Sequence, residues 1–198
     1  MFKIILASNS PRRRELLAGL DVPFEVKVIK GIDESYPATL DAYQVAEYIS
    51  KKKAEAYRSL LSDDVLVLTA DTVVIAPTAD EQNDKEGKGV ILGKPKDAQE
   101  ARAMLQMLSG KTHHVVTGVC LTSSEKQHSF SVVTEVSFKT LTEQEIAYYI
   151  DHYKPFDKAG AYGIQEWIGY IGCTGLKGSY FNVMGLPAQR IYEELQKF

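Results

Sequence analysis

The stretch "FKIILASNSPRRRELL", Phe2 to Leu17, sets the reading of the fold. Phe2 to Ala7 is mostly apolar and rich in β-branched residues, which predicts a buried strand. Ser8, Asn9 and Ser10 are turn and N-cap residues, and Pro11 suits the first helical position. The spacing then predicts a helix to about Gly19, with Leu16, Leu17 and Leu20 on its apolar side. Arg12 to Arg14 fit this simple unit poorly. A helix N-terminus carries partial positive charge, and a cation there costs about 0.3–1 kcal/mol. An anion seated on the same free amides offsets that cost. A solvated charge run is the competing reading.

Working outward, strand-like and helix-like segments alternate, which implies an α/β protein. Phe24 to Ile29 alternates as a strand. Asp41 to Leu61 has helical spacing, with Val45, Ile49, Ala56 and Leu60 inward. Val65 to Ala76 reads as a buried strand interrupted at Thr69 to Thr72. Residues 77–89, "PTADEQNDKEGKG", read as a long hairpin tip or flap. Asp97 to Ser109 and Thr142 to Tyr153 are capped helices. Two strands between them form a hairpin. A glycine-dense region, Gly160 to Gly178, precedes a closing helix from about Leu186 to Gln196.

The chain has 198 residues and a net charge of −3, which argues against a general nucleic-acid binder. Cys120 and Cys173 are far apart, so neither a disulfide framework nor a zinc site is expected. No leader-like or membrane-length apolar run is legible, so a cytoplasmic protein is expected.

Asp71, in "VLTADTVVI", is a carboxylate in an apolar strand and demands a partner: an arginine, a metal ion or an activated water. A structural salt bridge would also satisfy it. Glu34, in "GIDESYP", could join Asp71 in a two-carboxylate magnesium site, with Asp33 as its competitor. Lys53, Lys94 and Lys111 are candidate phosphate ligands or ordinary surface lysines; Gly93 and Pro95 constrain the backbone around Lys94. No P-loop occurs. In "DKAGAYGIQE", glycines around Tyr162 and Gln165 permit close backbone approach to a ligand. The Gln165 amide suits the edge of a base; a tight helix–loop junction is the alternative. His113 and His114 point to opposite faces of a strand and receive no role.

In order, "ASNSPRRRELL", "ADTVV", "GKPKDA", "GKTHHVVTG", "DKAGAYGIQ" and "GSYFNVMGLP" resemble the Maf family, from Leu6 to about Tyr192. The resemblance implies one domain over residues 1–198 with a central mixed sheet, flanking helices and a cleft between two lobes, similar to inosine triphosphate pyrophosphatases. It implies hydrolysis of dTTP and UTP at the α–β bond, a divalent cation (Mg2+ or Mn2+) and possible homodimers. Ser8, Arg12 and Arg13 match the phosphate-binding turn, Lys53 and Lys94 the catalytic lysines, and Asp71 the proton acceptor. Glu34 matches the acidic ligand, while Arg13, Thr72 and Gln165 match the branch acting on dTTP and UTP. The chain departs from the family pattern in its long polar insertion after Ala76. Two rival readings are a non-catalytic nucleotide sensor linked to septum formation and a phosphohydrolase that removes the terminal phosphate.

Overall fold

The apolar run Val65–Ala76 forms one long strand, and the rest of the sheet is arranged on it. The computed structural model describes residues 2–78 and 89–198, so most of the polar insertion lies outside the described residues. The strands are β1 (Lys3–Leu6), β2 (Phe24–Val26), β3 (Val65–Ala76), β4 (Val90–Leu92), β5 (Thr112–Thr122), β6 (Gln127–Phe138) and β7 (Cys173–Lys177). The helices are α1 (Pro11–Ala18), α2 (Ala42–Glu55), α3 (Ala98–Leu108), α4 (Glu143–Tyr153), α5 (Trp167–Gly172), α6 (Tyr180–Met184) and α7 (Ala188–Leu195). The sheet order is β2-β1-β3-β5-β6-β7, with β4 also on β3. β1 is parallel to β2 and β3; the other pairings are antiparallel.

The two edges of β3 differ. β5 pairs with one edge continuously, from Val67 to Ile75. On the other edge, β1 covers Val65 to Leu68 and β4 covers Val74 to Ala76. Among the described residues, Thr69 to Val73 therefore have no strand beside them on that edge. The interruption expected within β3 lies instead in its neighbours: the strand itself is unbroken because β5 holds it throughout.

Side chains alternate along β3. Val73 and Ile75 pack under Val45, Ala46 and Ile49 of α2. On the opposite face, Leu66, Leu68 and Ala70 meet Leu16 and Leu17 of α1 and Ile191 of α7. Val74 and Ala76 meet Leu105 and Leu108 of α3 and Ile146 and Tyr149 of α4. Asp97 caps α3 through the Glu100 amide, and Thr142 with Glu145 forms a full capping box on α4. Among the described residues no helix is long and apolar enough to cross a membrane.

Several elements differ from the sequence expectations. β2 ends at Val26 because its partner β1 ends at Leu6. The next residues are held by Tyr57, whose hydroxyl accepts from the Ile29 amide and donates to the Lys27 carbonyl. β4, β7 and α6 were not legible. Each is only three to five residues long, and β4 and β7 exist through pairing with distant strands.

His113 is fully buried on β5, its Nε2 2.7 Å from the Tyr162 hydroxyl, while Nδ1 has no partner among the described residues. Burial, with a smaller contribution from His114, pushes its pKa down from 6.5 to about 3. The imidazole stays neutral in the fold but protonates in the unfolded chain. Its contribution is thus complete above pH 6.5 and is lost as pH falls toward 3. Between pH 6.5 and 5 this amounts to about 2 kcal/mol. Urea midpoints at both pH values for wild type and His113→Gln measure it, and equal pH slopes would refute the assignment.

Candidate functional site

The unpaired edge of β3 opens into a cleft with two adjoining chambers of about 110 and 460 Å3. Ser10, Arg12, Arg13, Lys53, Lys94 and Asp157 line both. Ser8 and Glu34 line the wider one. Asp71, Thr72 and Gln165 line the narrower one, beside apolar Val74, Val115, Tyr162, Val183 and Met184.

Asp71 shares the α2 face of β3, and α2 supplies its partner. Lys53 Nζ lies 2.7 Å from Asp71 Oδ1 and 3.1 Å from Glu34 Oε1. Both Lys53 and Asp71 side chains are 13% exposed. The neighbouring lysines are engaged elsewhere: Lys51 with Glu47, and Lys52 with Asp33 at 2.6 Å. Lys52 and Ser35 hold Asp33 well below the usual carboxylate range. The fold thus separates the two acidic candidates, bringing Glu34 toward Asp71 and turning Asp33 away.

The strand–turn–helix unit supplies the basic wall. Ser8 is buried, and its hydroxyl accepts from the Ser10 amide at 3.2 Å. The Ser10 side chain caps the Arg13 amide of α1. The arginines then diverge. Arg12 Nη1 donates to Asp157 Oδ2 at 2.8 Å while still lining the cleft. Arg13 is tied to protein atoms: Nε donates to the Gly185 carbonyl, Nη1 to the Ala70 carbonyl and Nη2 to Thr72 Oγ1, at 2.7–3.0 Å. Arg13 therefore fastens the turn after α6 to the open stretch of β3. Thr72 Oγ1 also meets Thr117 Oγ1 at 2.9 Å. Arg14 is exposed.

Lys94 is exposed at the cleft, and among the described residues its ammonium has no hydrogen-bond or ion-pair partner. Lys111 is exposed before β5 and does not line the cleft. Tyr162 contributes its ring, its hydroxyl being occupied by His113. Gln165 Oε1 is a buried acceptor without a partner among the described residues.

Ser10, Asp157 and Lys158 also line the cleft, although the sequence reading singled out none of them as a ligand. Asp157 and Lys158 open the motif that holds Tyr162 and Gln165, and adjacent opposite charges beside a glycine turn were the available signal. Desolvation raises the Asp157 pKa, but Arg12 and Lys158 outweigh it and hold it at about 2.

The donor set fits a hard divalent cation. Asp71 Oδ2 and Glu34 Oε2 accept no hydrogen bond among the described residues. Magnesium is commonly held by one or two carboxylates together with substrate phosphates. No cluster of three or more ligating residues occurs among the described residues, so such a site would depend on that supplement.

Comparisons with known proteins bear on the fold and the family. The Ham1 protein of Staphylococcus aureus shares the fold, with a TM-score of 0.55 at 14% identity over 98% of each chain. A HAM1 protein from Coxiella burnetii does so with a TM-score of 0.50 at 13% identity over 100% of each chain. The dTTP/UTP pyrophosphatase of Phocaeicola vulgatus is 57% identical over 99% of this chain and 96% of that protein. That of Parabacteroides distasonis is 53% identical over 100% of this chain and 96% of that protein. The family described as Maf-like protein matches residues 3–198. With the ordered motifs now gathered around one cleft and the match spanning nearly every residue, the chain belongs to the Maf family.

Proposed function

We propose that this protein is a nucleoside triphosphate pyrophosphatase acting on dTTP and UTP, releasing the monophosphate and pyrophosphate. The observation that carries the reading is the Lys53-bridged pair of Asp71 and Glu34, set across the open edge of β3 from a basic turn.

The triphosphate lies along the wider chamber, where Arg12, Lys94 and the Ser8 hydroxyl meet its oxygens. A divalent cation, Mg2+ or Mn2+, held by Glu34 and Asp71 would neutralise phosphate charge. Asp71 accepts a proton from the water whose oxygen attacks the α-phosphorus. The bond to the bridging oxygen breaks and pyrophosphate leaves. Lys53 holds the Asp71 carboxylate in place, while Arg12 and Lys94 offset charge building on the leaving group.

The base enters the narrower chamber. Gln165 Oε1 is a buried acceptor without a partner among the described residues, and leaving such a group unpaired costs about 1–3 kcal/mol. Thymine and uracil present an N3–H donor that satisfies it. Cytosine presents an acceptor at the same position and does not.

A nucleotide panel with magnesium or manganese tests the proposal, with pyrophosphate and orthophosphate assayed separately. Pyrophosphate with dTMP or UMP is the expected outcome. Orthophosphate would indicate removal of the terminal phosphate, and no turnover would indicate a nucleotide sensor.

A further inference from the structure

Gln165 is held from both sides by one hydrogen-bonded network that runs from buried Tyr149 out to the cleft. The Gly163 amide donates to the Tyr149 hydroxyl at 3.0 Å, and that hydroxyl donates to Glu166 Oε2. Tyr149 is fully buried on α4. Lys158 Nζ bridges Glu166 Oε1 at 3.0 Å and Asp157 Oδ1 at 2.8 Å, with its side chain only 9% exposed. Asp157 Oδ2 accepts from Arg12. The residue two before Gln165 and the residue directly after it are thus fastened to a single hydroxyl. The packing is close: a methyl group at Gly163 would lie 3.0 Å from the Glu166 carboxyl carbon and 3.1 Å from Lys158 Cε.

A surface ion pair has little value. A mostly buried lysine between two carboxylates, with a tyrosine hydroxyl on one of them, fixes geometry instead. The segment that it fixes carries the unpartnered acceptor of the narrower chamber.

We propose that Glu166 is a positioning residue for nucleobase recognition, acting through Gln165. The inference rests on the pyrimidine reading above. Without Glu166, Tyr149 loses its acceptor and the Gly163–Glu166 turn loses its anchor. Lys158 keeps Asp157, and Asp157 keeps Arg12, so the phosphate end is insulated from the change.

Calorimetric titrations with dTMP and with pyrophosphate read the two ends separately, alongside steady-state hydrolysis of dTTP. Glu166→Ala is expected to weaken dTMP binding and raise the KM for dTTP about tenfold, the worth of ~1.4 kcal/mol. Pyrophosphate affinity and kcat stay within about twofold, a difference under ~0.5 kcal/mol. Glu166→Gln, which still accepts from Tyr149, recovers most of the dTMP affinity. Unchanged dTMP affinity, or equal weakening of dTMP and pyrophosphate, would overturn the inference. If Glu166→Ala does not fold, Tyr149→Phe deletes the same tether while keeping the ring, and the same comparison applies. Failure of wild type to hydrolyse any pyrimidine triphosphate would defeat the functional reading, while the dTMP titrations still decide the role of Glu166.

Discussion

Replacing Asp71 with asparagine is expected to lower turnover of dTTP and UTP by about 10²–10⁴-fold, the usual contribution of a general base. The amide keeps the size of the carboxylate, and its oxygen still accepts from Lys53, which lies 2.7 Å from Asp71 Oδ1 in the native protein. Lys53 also retains Glu34 at 3.1 Å, so no cation is left unpaired. Thermal melting should therefore change little while kcat collapses. Affinity for pyrophosphate should survive, because Arg12 and Lys94 are untouched. An Asp71→Asn protein retaining more than about a tenth of wild-type turnover would remove Asp71 as the base, given that range.

Gly118→Ala should damage the fold severely. Gly118 lies on β5 directly opposite Asp71. A Cβ there would sit 2.2 Å from the Glu47 amide nitrogen and 2.3 Å from the Ala46 carbonyl carbon. Both are backbone atoms of α2, so no side chain can swing aside and the helix itself must lift. Overpacking of this kind costs about 3 kcal/mol, the upper end of the usual range. For a chain of this size that lowers Tm by roughly 6–12 °C. α2 also carries Lys53, so its displacement disturbs the Lys53–Asp71 contact, and a shift of ~1 Å in an active site can cost about 10²-fold in rate. Activity should fall even at temperatures where the variant is folded. Gly175→Ala is the control: its added Cβ meets only the Ser137 side chain, at 3.7 and 3.8 Å. If the two variants melt within about 2 °C of each other, a difference under ~1 kcal/mol, the proposed seating of α2 on β5 is wrong.

Local sequence determined a good deal. The strand–turn–helix from Phe2 to Ala18, the capped α3 and α4 and the β5–β6 hairpin are written in short-range periodicity and capping chemistry. Asp71 was legible as a carboxylate in an apolar strand, and the ordered motifs pointed to the family. Helical phase also bears on the three lysines. It sets Lys51 opposite the buried stripe of Val45, Ile49 and Ser50 and places Lys53 nearer that stripe than Lys52, without saying which carboxylate either one meets.

Tertiary structure decided the rest, because those choices depend on atoms distant in the chain. Lys53 rather than Lys52 reaches Asp71, and Glu34 rather than Asp33 joins them, through the seating of α2 against β3 and β5. Adjacent arginines have separate roles because Arg13 finds carbonyls at Ala70 and Gly185, whereas Arg12 finds Asp157. The cleft exists because β1 and β4 share one edge of β3 and leave the middle uncovered. A strand's own sequence determines which residues alternate inward; which of its edges goes unpaired is determined by how far its neighbours extend.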